Sequence, residues 1–237
     1  MTTPATGRDG WRALVIQHED PTPPGLVSGW VEARGGTVET LRIDEQDPHD
    51  IDPRKYGLIV SLGSEFGAYQ DDLVWIAHEI DLLRTASEAD VPILGVCFGG
   101  QLLARVHGGD VFRSDTEEIG WLPVGSTDPG LVPEGPWFQW HFDTFTVPPG
   151  AQIVAENAAG PQAFVIGRSL GLQFHPEVTP EIMDSWVKAY RHELDEHGVD
   201  PDRLLEETHE RREDAHATSR KLLDAFLDRV AGLHERA

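Results

Sequence analysis

Cysteine is almost absent from this chain: Cys97 is the single one in 237 residues. An internal disulfide is therefore excluded, and the composition fits a reducing, cytoplasmic setting. Basic residues are scarce as well, 19 Lys and Arg against 41 Asp and Glu, for a formal charge of −22. Nucleic acids and anionic membranes both call for clustered positive charge, so the expectation is no nucleic-acid partner and no membrane attachment. The acidity itself reads as a solubility feature. Lysine is reduced to Lys55, Lys188 and Lys221, and no G-x4-G-K-[ST] phosphate loop occurs in the sequence. No apolar run is long enough to span a bilayer, and Met1 to Gly10 contains no apolar signal-like core. The length suits one domain over 1–237, with a core at about 11–190 and a helical extension at about 191–237.

What the chain does have is concentrated around Gly95-Val-Cys97-Phe-Gly99-Gly-Gln101. Ile93 to Val96 reads as a short buried strand, and the run through Leu102, Leu103 and Ala104 as the opening of a helix. A nucleophile on such a strand-to-helix turn is pushed outward, and small neighbours are needed where the flanking backbones crowd it. The helix N-terminus just beyond favours a negative charge. A lone cysteine can equally be a small buried hydrophobe. A cysteine nucleophile also requires a base and a group to orient that base. Gly171-Leu-Gln-Phe-His175-Pro-Glu177 offers both, because residues two apart in an extended segment share a face.

Along the chain, strand-like and helix-like patterns alternate. Arg12 to Gln17, Thr37 to Ile43 and Tyr56 to Leu62 read as strands. Leu26, Val27, Trp30 and Val31 recur at helical spacing, as do Leu73, Ile76, Ala77, Ile80 and Leu83. Such alternation predicts a mostly parallel central sheet with helices on both faces, three layers in all. Ligand sites in sheets of this kind lie beyond the C-terminal strand ends, where Gly63 and Cys97 fall. From Asp110 the pattern changes to short β-like pieces separated by turn signals: Val111-Phe112, Ile119 to Val124, Trp137 to His141, Gln152 to Ala155, Gln162 to Ile166 and Gly171 to Phe174. These predict a mixed or antiparallel extension of the same sheet. Ile182, Trp186, Val187 and Tyr190 then mark a helix, followed by a charged stretch from His192 to Asp214. Leu222, Leu223, Phe226, Leu227 and Val230 make a final amphipathic stripe, for its own domain or for a partner helix.

The cysteine elbow and the His-x-Glu segment, in that order, resemble the class I (triad-type) glutamine amidotransferases. The similarity is greatest to stand-alone members akin to the amidotransferase domain of GMP synthase, and it runs from the first strand to about Trp186. The resemblance implies a flavodoxin-like α/β fold with a mixed β extension in the second half and a helical C-terminal tail. It implies Cys97 as nucleophile, His175 as base and Glu177 as its orienter, acting on L-glutamine or a γ-glutamyl amide with no cofactor and no metal. Phe98 N–H is one oxyanion donor this implies, and the backbone at Gly63 the second. There the family's Gly-Gly-Pro-like loop is reduced to Leu62-Gly63-Ser64, and Gly63 can also be read as an ordinary strand-ending glycine. Gln101 matches the position that contacts the amino-acid end of glutamine, against a capping or solvent-facing alternative. His141, Phe142 and Asp143 match the substrate-lining strand, where many members have His-Gly-Asp; alternatively His141 and Asp143 only tie the strand ends together. His107, His141, Asp143, His175 and Glu177 show no spacing diagnostic of zinc.

The Ser-Gly-Gly-rich ATP-pyrophosphatase loop of GMP synthase does not occur in these residues. The implied acceptor of the ammonia is therefore a separate ATP-dependent synthetase subunit. The competing readings are a γ-glutamyl peptide or amide hydrolase and a non-catalytic regulatory module of the same fold. An intact Cys97, His175 and Glu177 argue against the last.

Overall fold

The computed structural model describes residues 10–46 and 48–233. The first half alternates as expected: β1 (Arg12–Gln17), α1 (Leu26–Ala33), β2 (Thr37–Arg42), β3 (Leu58–Ser61), α2 (Val74–Glu88), β4 (Ile93–Val96) and α3 (Phe98–Val106). The second half adds β5 (Val111–Ser126), β6 (Gly135–Phe145), β7 (Gln152–Asn157), β8 (Gly160–Ile166) and β9 (Ser169–Leu172). Helices α4 (Pro180–Ala189), α5 (Arg191–His197) and α6 (Pro201–Phe226) follow, the last running into a π-helical turn at Leu227–Ala231. The nine strands of the described residues form one sheet in the order β2-β1-β3-β4-β9-β8-β7-β5-β6. The pairs from β2 to β9 are parallel, and those from β9 to β6 are antiparallel.

Period-two alternation in the strands creates the three layers. Ala13, Val15, Leu58, Val60, Leu94 and Val96 face a core shared with Val27, Trp30 and Val31 of α1 and Leu222, Leu223 and Phe226 of α6. Their neighbours Leu14, Ile16, Ile59 and Ile93 face the opposite core, with Ile76, Leu82 and Leu83 of α2 and Leu102 and Leu103 of α3. The C-terminal stripe is thus spent on the protein's own sheet. Trp30 Nε1 donates to Asp224 at 2.9 Å, tying α6 to α1. A third apolar cluster joins Phe138 and Trp140 of β6 to Ile182, Met183, Trp186 and Tyr190 around α4.

One region differs from the sequence reading. The pieces at Val111-Phe112 and Ile119 to Val124 are one strand, β5, with a register shift between Arg113 and Glu118. The polar run from Arg113 to Glu118 hides it, because β5 meets β7 only at Gly125 and Ser126 and most of its length pairs with β6 alone. The charged stretch from His192 onward is helical almost throughout, in keeping with the helical C-terminal tail expected of it. Its helices expose most of their surface, so few apolar positions mark them. Asp200 caps α6 by accepting from Asp202 N at 3.0 Å, with Pro201 at the first helical position. Among the described residues no helix is long and apolar enough to cross a membrane.

Candidate active site

Three neighbouring parallel strands, β3, β4 and β9, deliver the site from their C-terminal ends. Gly63 follows β3, Cys97 follows β4, and His175 follows β9. Cys97 has φ 50° and ψ −108°, a left-handed backbone uncommon for a non-glycine residue. Surrounding bonds hold it there: Cys97 N donates to Leu172 O at 2.8 Å, Gly99 N to Leu62 O at 3.0 Å, and Gln101 N to Cys97 O at 2.9 Å. Strain of this kind costs on the order of 1–3 kcal/mol and persists only where neighbours over-determine it. The helix behind the elbow lies directly on adjacent backbone. A β-carbon at Gly99 would come within 2.2 Å of Ser61 O, and one at Gly100 within 2.3 Å of Leu172 O.

His175 and Glu177 do lie side by side, with Nδ1 to Oε1 at 2.7 Å and both residues buried. The His175-Pro-Glu177 segment is pinned at both ends, His175 N donating to Phe138 O at 2.9 Å and Leu26 N to Glu177 O at 3.1 Å. His175 Nε2 has no hydrogen-bond partner, and Cys97 is its neighbour on that side. Burial alone would lower the His175 pKa, but the charge of Glu177 and then Cys97 outweigh it and raise it to about 10. Trp186 packs edge-on against the imidazole, ring centroids 4.8 Å apart, and shields it from water.

A cavity of about 300 Å³ opens over Cys97. Of the residues singled out from sequence, Gly63, Phe98, Gln101, His141, Phe142, Asp143 and His175 line it together with Cys97, while Glu177 stands behind His175. Gly63 is more than a strand end: a β-carbon there would sit 2.9 Å from His175 Cε1 and 3.7 Å from Cys97 Cβ. Gln101 is buried, which removes the solvent-facing alternative, and its Nε2 donates to Asp143 O at 3.3 Å. The link between His141 and Asp143 runs from the ring Nδ1 to the Asp143 backbone carbonyl at 3.0 Å. Its Nε2 meets the buried Glu118 carboxylate, also at 3.0 Å. Phe142 is fixed in the wall between His197, stacked at 4.8 Å, and the Arg113 guanidinium at 4.7 Å. Among the described residues no group of three or more His, Cys, Asp or Glu side chains is arranged to hold a metal ion.

Several groups in and around the site escaped the sequence reading. Glu118 is the cross-strand partner of His141 in the β5–β6 register, a relation only the fold creates. Gln173 lies inside the His-x-Glu segment and is fully buried, its Nε2 3.7 Å from Cys97 Sγ. Glu65, Tyr190 and Glu193 line the cavity, and the two carboxylates give it an acidic side. Burial and the nearby Glu19, Glu65 and Glu193 push the Tyr190 pKa up.

The family model for class I glutamine amidotransferases matches residues 28–189, more than half of the chain. The chain belongs to the class I glutamine amidotransferase family. Among solved structures, this family member is similar to a glutamine amidotransferase from Thermotoga maritima. The two share 31% identity and a TM-score of 0.85 over 92% of this chain and 98% of that one. A glutamine amidotransferase from Methylobacillus flagellatus gives 26% identity and a TM-score of 0.85, covering 92% and 95% of the two chains. The GMP synthase of Aeropyrum pernix is 33% identical over 57% of this chain and 28% of its own length. That of Bordetella parapertussis is 33% identical over 67% of this chain and 31% of its own. The amidotransferase chain therefore spans under a third of the curated GMP synthases it matches.

Proposed function

We propose that the protein hydrolyses the side-chain amide of glutamine through a thioester on Cys97, releasing ammonia for a separate synthetase. The observation that carries this reading is the buried His175, anchored to Glu177 by Nδ1 and unpaired at Nε2 beside Cys97. His175, with its raised pKa, already holds the proton on its ring, and Cys97 Sγ attacks the amide carbon as the thiolate. The C–N bond then breaks, and the same proton leaves with the nitrogen as ammonia. Water, deprotonated by His175, attacks the thioester carbon and frees glutamate and the thiol. Glu177 holds the ring in the required orientation and stabilises the imidazolium.

The tetrahedral oxyanion requires backbone donors, each worth about 2.7–4 kcal/mol when removed. Phe98 N–H, at the first turn of α3, has no acceptor within its own helix. The Gly63–Ser64 peptide borders the same cavity and supplies the second donor. Gln101, His141 and Asp143 hold the amino-acid end of the substrate.

A second reading, hydrolysis of a larger γ-glutamyl amide or peptide, is favoured by the broad wall of Glu65, Phe142, Tyr190 and Glu193. Ammonia and glutamate release from L-glutamine by wild-type protein and Cys97→Ala tests the first. Release that needs Cys97 supports it. Silence on glutamine with Cys97-dependent cleavage of a γ-glutamyl amide panel moves the assignment to the second, and release that survives Cys97→Ala defeats both.

A further inference from the structure

A third buried His–Glu pair, besides those of His175 and His141, takes no part in the chemistry above. His18 follows β1, Glu79 belongs to α2, and both side chains are wholly shielded from solvent. His18 Nε2 meets Glu79 Oε2 at 2.8 Å, and Ser61 Oγ donates to Glu79 Oε1 at 2.6 Å. The other ring nitrogen, Nδ1, faces the Gly63 carbonyl oxygen at 3.0 Å. The ring is further confined by Phe98, edge-on at 4.8 Å, and by Trp75 at 5.5 Å.

Both neighbours of the imidazole are acceptors, a carboxylate and a backbone carbonyl. Only the doubly protonated ring offers an N–H to each. Burial by itself disfavours that charge, but Glu79, with a smaller contribution from Glu19, outweighs it and raises the His18 pKa. The second consequence is geometric. No cis peptide occurs among the described residues, and in a trans peptide the C=O and the following N–H point to opposite sides. The carbonyl of Gly63 is taken by His18, so the N–H of Ser64 is turned the other way. Gly63 faces His175 and Cys97 with its bare α-carbon on the cavity side.

We propose that His18, clamped by Glu79, is a positioning residue that fixes and polarises the Gly63–Ser64 peptide so that its N–H meets the oxyanion of the Cys97 adduct. This rests on the thioester reading above. His18 never touches substrate; it acts through one peptide group. A positive charge on the carbonyl side of that peptide makes its N–H a stronger donor, and the rigid clamp removes the need to reorient it during reaction. Through Phe98, the same ring also braces the residue that carries the other oxyanion donor.

The test compares wild type with His18→Asn and with the double variant His18→Leu/Glu79→Leu. The double variant guards against misfolding, because removing one partner strands a buried charge whereas replacing both is close to neutral. Steady-state kinetics should show kcat falling about 100-fold in the double variant, with KM within about threefold. His18→Asn, which keeps a donor near the Nδ1 position, should recover part of that loss. Alkylation of Cys97 by iodoacetamide, specific because it is the single cysteine, should stay within about threefold of wild type, since the nucleophile and His175 are untouched. A kcat within about threefold of wild type, or alkylation that falls as far as kcat, overturns the proposal. Wild-type protein silent on glutamine and on γ-glutamyl amides would defeat the thioester reading instead. A crystal structure of the double variant then decides: a Gly63 carbonyl still in its wild-type direction overturns the positioning role, and a rotated peptide supports it.

Discussion

His175 gives its Nδ1 to Glu177 at 2.7 Å and leaves Nε2 unpaired towards Cys97, so the two faces of one ring have separate partners. That arrangement has a consequence for pH. Burial alone lowers the His175 pKa, yet Glu177 and Cys97 carry it up to about 10. A histidine raised in the folded state contributes stability that is fully present below its unfolded value of about 6.5 and is lost as pH rises through the folded value. Glu177→Gln removes the largest raising influence and leaves the burial. The stability gap between wild type and Glu177→Gln should therefore be widest below about pH 6.5 and narrow towards pH 10. Urea unfolding of both proteins across that range measures it, and a gap that widens with pH would contradict the pairing.

The assignment of the base is tested by contrast between histidines. His175→Asn and Cys97→Ser should each lower amide hydrolysis by about a thousandfold or more while the protein stays folded. His107, whose Nε2 lies 3.2 Å from Ser87 Oγ, does not line the cavity. His107→Gln should leave turnover within about twofold of wild type. Comparable losses at His107 and His175 in the same assay would mean that the base has been placed on the wrong residue.

The strand-to-helix turn at Cys97 and the adjacency of His175 and Glu177 were legible in the sequence because both depend on local spacing: a turn for Cys97, two residues in an extended segment for His175 and Glu177. The alternating strands were legible for the same reason, since Ala13 and Leu14 already announce opposite faces. Glu118 was not, because its meaning comes from lying opposite His141 across the β5–β6 pair. His18, Glu79 and Gly63 were separated by still longer stretches, and only the parallel order of β1, β3 and β4 brings them together. The C-terminal tail was legible as helical, but where α6 begins was not, because its long exposed face carries no periodicity that a core would impose.

Phe142 stands where the resemblance led us to expect a small residue, and it is braced on both sides by Arg113 and His197. A ring held that firmly limits what can lie beyond the scissile bond. Phe142→Gly should widen the cavity and raise kcat/KM for a bulky γ-glutamyl anilide, relative to glutamine, by about tenfold or more. A ratio unchanged within about twofold would show that Phe142 does not set the substrate size.

The elbow also makes a stability prediction that needs no substrate. Gly99 and Gly29 are both helical glycines, but their surroundings differ. A β-carbon at Gly99 would meet Ser61 O at 2.2 Å and Ser61 Oγ at 2.3 Å, and Ser61 is itself held by Glu79. Relief would require moving α3 away from β3 and with it the backbone that fixes Cys97. Gly99→Ala should therefore destabilise by about 3 kcal/mol or more, at the upper end for an added methyl in a filled interior. Gly29 lies on the exposed side of α1 with nothing within 4 Å of the added carbon. Gly29→Ala should instead stabilise by about 0.5–1 kcal/mol through the backbone entropy of the unfolded chain. Denaturant midpoints of the two variants, measured side by side, decide the matter. If Gly99→Ala is as stable as wild type, the close packing of α3 on β3 cannot be what holds Cys97 in its left-handed conformation.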